Sequence, residues 1–424
     1  MKILLLSQGT GYPNDTTFRD TALMSSLQRI GHDVRLWSLQ DTLIYEGDGD
    51  EEQMVPRMLD ARDLYFRFRY GALTRWLPLR LQRKMAREVT LPRARHWLTN
   101  LPHGQRLCFL RELLRGYRGC FRSFFKEAVA LIGKETPDVV ALSSLWYTGL
   151  IEPLKLHTQS LVVVLLPATL NPETLPADKR LLLNIGHHLR RADTIFAASE
   201  FHKRWACQTF ELTEETVHVM YDGILLNYYR PRLMAPANGR IGYYGEITPQ
   251  AGLKKLVECW LRVREHFPDC ELHIGGILHG THRQFLSELA KSAGAKQQKS
   301  IYVFPNLPFS EKRSFLNNLS LLAIPPGSEL FNNVILEAMA LQVPVVVPDR
   351  GMYAEILHLT QGGILYNDED LNSMVDATLN ILQDTDWAET KGTNGRKGVV
   401  DFFTSEQMVG RFLQVVRQHL VQRG

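Results

Sequence analysis

One segment of this sequence, residues 325–357, constrains the fold more than any other, because it reads as buried strand, loop, helix and second buried strand. Asn332 and Asn333 lie where a helix is usually capped, ahead of an apolar run. The β-branched run 345–347 follows this helix and leads into a glycine turn. This order of elements predicts a parallel α/β sheet.

Two carboxylates, Glu329 and Glu337, bracket the loop and the start of this helix. A helix that begins at the end of a parallel strand attracts an anion, because its free backbone N–H groups point at the ligand. Carboxylates accept hydrogen bonds from sugar hydroxyls, so the pair predicts a site for a phosphorylated sugar. The spacing alone fits equally well an ordinary strand–helix–strand unit with two solvated glutamates.

The same segment resembles the donor-site signature of the retaining glycosyltransferases of the GT-B fold, family 4 (group 1) in particular. The resemblance implies an α/β fold of two doubly wound, Rossmann-like domains that face a central cleft, with a C-terminal helix that crosses back to the first domain. The residues that carry it are Ser328-Glu329, Glu337-Ala338-Met339-Ala340, Pro344-Val345-Val346, Gly351 and Glu355.

The length of 424 residues exceeds that of one compact domain, so two domains are expected. Residues 2–7 read as a buried strand, followed by a glycine turn, an amphipathic helix and a second strand, which is a Rossmann-like opening. We expect a first domain at 1–232 with a basic helical insertion at about 62–126. A helix at about 405–424 completes it, and the second domain occupies 233–404.

The resemblance also implies roles for single residues. Glu337 would bind the ribose hydroxyls of a UDP- or GDP-linked sugar, and Glu329 would be catalytic, stabilising positive charge at the anomeric carbon. No cofactor and no metal are implied, and the acceptor would be a glycan, a lipid-linked sugar or a small molecule. The remaining candidates are the donor-site residues Leu330, Phe331, Asn332, Asn333, Gly245 and Lys254, the base-contacting residues Phe304 and Pro305, and the acceptor-side residues Gly9, Thr10 and Gly11.

One turn departs from the family pattern. Relatives bind the diphosphate with an Arg and a Lys, where this chain has Glu246 and Ala251. Losing one such stabiliser typically costs about 10²–10³ in rate. Lys254 or Lys255 would replace the missing charge, or both lie on an exposed helix face. Three functions therefore stay open: a transferase, a non-catalytic GT-B partner of another transferase, and a nucleotide-sugar epimerase or donor hydrolase.

A strongly basic block lies inside a mildly charged chain. Residues 62–126 contain sixteen Lys and Arg against three acids, a charge of 16 − 3 = +13, whereas the whole chain carries +4. Its helical pattern pairs basic with apolar faces, which suits an anionic membrane surface. The alternative is that the apolar faces pack into the first domain. No recognition motif for nucleic acid accompanies the charge, so nucleic acid is not expected as a partner.

The start of the chain and its five cysteines predict the compartment. Only residues 3–6 are apolar before Ser7 and Gln8, so no signal peptide is expected. The cysteines show neither close pairing nor metal-ligand spacing. We therefore expect a cytoplasmic protein, peripheral at the inner membrane face if the basic block binds lipid.

Overall fold

The computed structural model describes residues 1–7, 15–38, 43–46, 52–55, 61–71, 77–90, 93–94, 97, 101–168, 178–232, 239–278, 282–294, 297–326 and 333–423. The chain forms two compact units. The first comprises 1–220 together with 408–424, and the second comprises 221–407.

The first unit is built on a six-stranded parallel sheet with the strand order β2-β1-β5-β6-β7-β8. Its strands are β1 (Lys2–Ser7), β2 (Asp33–Ser38), β5 (Val139–Leu142), β6 (Leu161–Leu165), β7 (Thr194–Ala197) and β8 (Val217–Val219), and β3 (Leu43–Glu46) pairs antiparallel with β4 (Glu52–Val55). Its helices are α1 (Asp15–Arg29), α2 (Ala61–Arg69), α3 (Leu79–Arg87), α4 (His103–Leu114), α5 (Arg122–Glu135), α6 (Ile151–His157), α7 (Lys179–Leu189) and α8 (Glu200–Phe210).

The second unit contains another six-stranded parallel sheet, with the order β11-β10-β9-β12-β13-β14. Its strands are β9 (Arg240–Glu246), β10 (Glu271–Ile277), β11 (Ile301–Pro305), β12 (Leu321–Ala323), β13 (Val345–Pro348) and β14 (Gly363–Tyr366). Its helices are α9 (Leu253–His266), α10 (Arg283–Ser292), α11 (Phe309–Asn317), α12 (Val334–Ala340), α13 (Gly351–Thr360), α14 (Leu371–Gln383) and α15 (Thr385–Phe402), and α16 (Ser405–Arg423) follows.

Local sequence explains these elements. The central strands of both sheets are continuous runs of buried aliphatic residues, as expected for parallel strands covered on both faces. Helix N-termini are capped by short polar side chains: Asp178 accepts from the N–H of Leu181, and Asp384 accepts from the N–H of Trp387. These features confirm the predicted α/β fold with two doubly wound sheets.

The C-terminal helix α16 returns to the first unit, as predicted. Its Phe412 packs against Phe196 of β7 with ring centroids 5.6 Å apart. Arg411 donates a hydrogen bond of 3.1 Å to the carbonyl oxygen of Val219 at the end of β8. None of the helices in the described part of the chain is both long and apolar enough to cross a bilayer.

The two compact units part at 220/221, whereas the sequence predicted a domain boundary at 232/233. Residues 221–232 are held by the second unit. The hydroxyl of Tyr221 donates to Glu355 at 2.7 Å, and the N–H of Ile224 donates to the carbonyl oxygen of Phe403 at 2.9 Å. The proline-rich stretch after residue 230 therefore follows a segment that already packs with the second unit.

Most apolar side chains between residues 110 and 125 of the basic block pack into the core of the first unit. They are Leu110, Leu113, Leu114, Phe121, Phe124 and Phe125. For this part of the block, the structure agrees with the alternative in which the apolar side chains are not available to a membrane. The basic side chains Arg80, Arg83, Lys84 and Arg87 of α3 are exposed.

Candidate functional site

Glycines bring three strand ends of the second unit together. Gly276, at the end of β10, has φ +132°, and a Cβ atom there would lie 1.8 Å from the carbonyl oxygen of Gly245 in β9. Gly252, at the start of α9, has φ +73°, and a Cβ atom would lie 2.1 Å from the carbonyl oxygen of Pro326, just after β12. Only glycine tolerates such approach, so the turn 245–252 is fixed against the carboxyl ends of the neighbouring strands. The strand order reverses between β9 and β12, which is where open α/β sheets bind ligands.

Glu337 lies on α12 beside this turn and is buried. Its Oε2 atom is 2.6 Å from the ammonium nitrogen of Lys312, a buried residue of α11. The same ammonium lies 4.8 Å from the ring centroid of Tyr244, the residue before Gly245. Burying a carboxylate is costly unless an opposite charge compensates it, and the Lys312 ammonium supplies that compensation for Glu337.

Two further polar groups complete this cluster. The hydroxyl of the buried Tyr229 hydrogen-bonds to the Glu337 carboxylate. Burial, together with the negative charge of Glu337, raises the pKa of Tyr229 well above its usual value, so Tyr229 stays a neutral donor. Asn333, one helical turn before Glu337, is also buried, and its Oδ1 atom accepts no hydrogen bond from the described part of the chain.

Asn333 occupies the N-cap position of α12, where the sequence predicted a cap. However, its side chain makes no capping hydrogen bond, and α12 is only seven residues long. So short a helix offers little dipole for an anion. The side chains of Asn333 and Glu337, rather than the end of the helix, are therefore the distinctive feature of this segment.

The other predicted donor-site residues are placed as follows. Phe304 is half-buried at the end of β11 and lines a cavity of about 360 Å³ together with His273, Leu307 and Phe315. Pro305 beside it is exposed, and so is Lys254 on α9. The predicted Glu329, Leu330, Phe331 and Asn332 and the acceptor-side Gly9, Thr10 and Gly11 lie outside the described residues.

The turn that departs from the family pattern offers no cation. The Glu246 side chain is exposed, and its carbonyl oxygen accepts a hydrogen bond of 3.0 Å from the hydroxyl of Tyr243. Ala251 is buried against the core of the second unit. Lys255, like Lys254, is exposed on α9. The buried positive charge of this region comes instead from Lys312.

Lys312 and Tyr229 were not predicted from the sequence. A signal for Lys312 did exist, because it lies three and four residues before Phe315 and Leu316, which are both buried. A lysine on the apolar face of a helix indicates a buried charge with a partner. Tyr229 carried no such signal, since its position was assigned to the other domain.

The first unit has a buried polar cluster at its own strand-order reversal, between β1 and β5. Arg19 of α1 pairs with Asp20 at 3.0 Å and donates to the carbonyl oxygen of Leu166 at 2.9 Å. The Ser143 hydroxyl donates to Asp20 at 2.6 Å, and Ser7 also hydrogen-bonds to Asp20. Burial raises the pKa of the Asp20 carboxyl, although Arg19 and the serines act in the opposite direction. This cluster ties together the carboxyl ends of β1, β5 and β6.

Among the described residues, no group of three or more His, Cys, Asp or Glu side chains is arranged to hold a metal ion.

Comparison with known proteins adds a family match to this geometry. Residues 235–398 match the family model described as "Glycosyl transferases group 1". The chain is also 29% identical over 178 residues to the lipopolysaccharide core biosynthesis mannosyltransferase LpsB of Rhizobium meliloti, which covers 41% of this chain and 49% of LpsB. The chain spans about half the length of the curated relatives it matches.

Solved structures match over the whole chain. Sucrose-phosphate synthase from Thermosynechococcus elongatus superposes with a TM-score of 0.72 at 16% identity and 100% coverage of both chains. HepE of Anabaena, solved in complex with UDP-glucose, superposes with a TM-score of 0.66 at 16% identity, again with 100% coverage of both chains. At these identities the likeness establishes the GT-B fold.

Proposed function

Because residues 235–398 of this chain belong to the group 1 glycosyltransferase family, we propose that the protein transfers a sugar from a nucleotide-diphosphate sugar to a hydroxyl group of an acceptor. The family resemblance found in the sequence is confirmed at the level of group 1, and membership of family 4 stays a prediction. The donor class is supported by HepE, a structural neighbour that binds UDP-glucose.

The observation that carries the proposal is the buried Glu337 beside the glycine turn. A carboxylate held by Lys312 and Tyr229 is charged and fixed in position, as an acceptor for ribose hydroxyls must be. Phe304 and Pro305 would contact the base, because they end the strand β11 at the same edge of the sheet. Lys254, Gly245 and the segment 330–333 would contact the diphosphate and the sugar.

The proposed reaction proceeds with retention and without a metal ion. The bond between the anomeric carbon and the diphosphate oxygen breaks, the acceptor oxygen bonds to the same face of that carbon, and the acceptor proton leaves with the nucleoside diphosphate. Glu329 would stabilise the positive charge that develops on the sugar. Gly9, Thr10 and Gly11 would contact the acceptor, a glycan, a lipid-linked sugar or a small molecule.

Donor binding and donor turnover test this proposal separately. Binding of UDP- and GDP-sugars is measured by calorimetry, and donor hydrolysis and transfer by mass spectrometry. Glu337→Gln is expected to weaken binding by about 10-fold or more, the loss of a charged hydrogen bond. Glu258→Gln, at an exposed position on α9, is the matched control. Glu329→Gln is expected to bind donor but to lose turnover. A wild-type protein that binds no nucleotide sugar would refute the proposal.

A second candidate function follows from Glu246. An exposed carboxylate in the turn repels a diphosphate, and the buried Ala251 contributes no charge. This favours a protein that binds a nucleotide sugar weakly and acts as a partner of another transferase. The variant Glu246→Arg separates the two functions. If the wild type binds donor without turnover and Glu246→Arg gains turnover, the partner role is favoured.

We further propose that α3 contacts an anionic membrane surface, which would place the protein at the cytoplasmic face of a membrane. Leu81 and Met85 are 43% and 36% exposed on this helix, and they alternate with the exposed Arg80, Lys84 and Arg87. An exposed apolar pair rimmed by basic residues matches the interface of anionic lipid. Each basic residue contributes about 1 kcal/mol near such a surface.

Vesicle sedimentation tests this contact. The triple variant Arg80→Gln/Lys84→Gln/Arg87→Gln is expected to lose about 3 kcal/mol, which is on the order of 100-fold in binding to phosphatidylglycerol-containing vesicles. Lys254→Gln/Lys255→Gln/Arg262→Gln, two exposed positions and one half-buried position on α9, serves as the control of equal charge. Equal binding by both triple variants contradicts the contact through α3.

A further inference from the structure

We propose that Lys312 is a positioning residue of the donor site, which holds Glu337 ready for a vicinal diol and so makes the site selective for ribonucleotides over deoxyribonucleotides. This inference rests on the proposed function, because it assigns the ribose of the donor to the cluster around Glu337. It adds Lys312 and Asn333 to the residues that recognise the nucleotide.

The burial of Lys312 is the first observation. Lysine side chains are almost never fully buried unless they are paired. Lys312 is 7% exposed, and its ammonium nitrogen lies 2.6 Å from Oε2 of Glu337, which is 5% exposed. The ring of Tyr244 covers the ammonium from another side, at 4.8 Å. Lys312 is therefore held between Glu337 and Tyr244, and it fixes the position of the Glu337 carboxylate.

Unused acceptor capacity is the second observation. The Oδ1 atom of Asn333 is buried and accepts no hydrogen bond from the described residues. The Glu337 carboxylate is paired with Lys312, but two carboxylate oxygens offer about four lone-pair sites, so it can still accept from a hydroxyl. A buried acceptor without a donor is costly, and such a group in a native protein needs an explanation.

A vicinal diol can donate to both side chains. Asn333 and Glu337 are four residues apart at the start of α12, so their side chains share one face of the helix. A 2′,3′-diol offers two hydroxyl donors with a spacing suited to two neighbouring acceptors. A 2′-deoxyribose would lose one of these two hydrogen bonds, and such a loss discriminates strongly between ligands.

A role in stability alone accounts less well for this cluster. A buried ion pair is often no more stabilising than apolar residues of the same volume. Such a pair would also not explain why Asn333, beside it, keeps a buried oxygen that accepts from none of the described residues.

The test compares two nucleotides across five full-length proteins. Binding of UDP and 2′-deoxy-UDP, or of GDP and 2′-deoxy-GDP if guanine is preferred, is measured by calorimetry. The proteins are the wild type, Lys312→Met, Glu337→Gln and the double variant, and Lys291→Met at an exposed position of α10 is the control.

The wild type is expected to prefer the ribonucleotide by about 10-fold or more, the effect of one unpaired buried acceptor. Lys312→Met should bind the ribonucleotide about 10-fold more weakly and lose most of that preference, since the carboxylate is no longer held. In the Glu337→Gln background the same change should have little further effect, because Lys312 acts through Glu337. The Lys291→Met control should behave as the wild type.

Three results overturn the proposal. They are an unchanged ribo-to-deoxy ratio in Lys312→Met, additive effects of the two substitutions, and an equal affinity of the wild type for both nucleotides. A wild type that binds no nucleotide at all overturns the proposed function as well, whereas the first three results leave it intact. If Lys312→Met does not fold, Lys312→Gln removes the charge and keeps a polar side chain. An unchanged ribo-to-deoxy affinity ratio in that variant overturns the proposal equally.

Discussion

Replacing Arg19 with methionine should destabilise the first unit strongly, because it leaves a buried carboxylate without its countercharge. Arg19 and Asp20 are 1% and 0% exposed, and their side chains are 3.0 Å apart. After the change, Asp20 keeps, among the described residues, the hydroxyls of Ser143 and Ser7, and the carbonyl oxygen of Leu166 loses its 2.9 Å donor.

The expected magnitude follows from this geometry. Breaking one partner of a buried pair typically costs about 3–5 kcal/mol, which is roughly 10²–10⁴ in the equilibrium constant of unfolding. Removing both charges with Arg19→Met/Asp20→Leu should return much of this loss, because apolar residues of similar volume often replace a buried pair without cost. The double variant should therefore be more stable than the single one.

The loss of stability caused by Arg19→Met should also depend on pH. Burial already raises the pKa of Asp20 above its ordinary value of 3.8, and the loss of Arg19 raises it further. A carboxyl whose folded-state pKa is raised favours the folded state when it is protonated. The destabilisation by Arg19→Met is therefore fully present above the folded-state pKa of Asp20 and shrinks as the pH falls through it.

Hydrogen exchange followed by mass spectrometry isolates this effect in a chain with two units. Amides of β1, β5 and β6 report the first unit, whereas amides of β9 and β12 report the second and should not change. Arg83→Met is the matched control, because its 2.6 Å bond to Glu127 lies at the surface and should be worth at most about 1 kcal/mol. Equal protection of β1, β5 and β6 in Arg19→Met and in Arg83→Met would show that the reasoning is wrong.

Three further predictions concern single positions. Gly276→Ala should destabilise the second unit by more than the roughly 1–3 kcal/mol that backbone strain alone costs. The added Cβ would also lie 1.8 Å from the carbonyl oxygen of Gly245 in β9. Urea unfolding measures the change in the free energy of unfolding. Burial lowers the pKa of His218 below 6.5, so folding favours the neutral form. The free energy of unfolding should therefore fall as the pH drops through about 6.5, and it should fall less steeply in His218→Gln. Tyr229→Phe removes the hydrogen bond to Glu337 and should weaken donor binding by about 0.5–1.5 kcal/mol in calorimetry, and an unchanged affinity contradicts that contact.

The sequence predicted the sheets well, because buried parallel strands have a local signature. The runs 139–142 and 161–165 are wholly aliphatic, and the structure forms β5 and β6 there. The glycine turn predicted after the run 345–347 is also present, because Gly351 has φ +54° there. These features depend on composition and on backbone conformation within a few residues.

The features missed from the sequence depend on contacts between distant residues. The boundary at 220/221 is set by hydrogen bonds such as the one from Tyr221 to Glu355, 134 positions away. Lys312 and Glu337 lie on different helices, so neither residue alone shows that the other neutralises it. A basic segment such as 62–126 shows its charge in the sequence, but not which of its apolar side chains the core will bury.

The charge balance at the donor site limits what Lys312 can contribute to catalysis. Its ammonium is paired with Glu337 at 2.6 Å, so the pair carries no net charge toward a phosphate. Lys312 can thus position Glu337, the proposed hydrogen-bond acceptor for the ribose, but it does not replace the Arg and Lys that relatives place in the turn. In the proposed reaction, stabilisation of the leaving diphosphate would then come from the segment 330–333 or from Lys254, against the repulsion of Glu246. We therefore expect donor binding and turnover to be separable, and a variant that changes only Glu246 distinguishes a slow transferase from a binding partner.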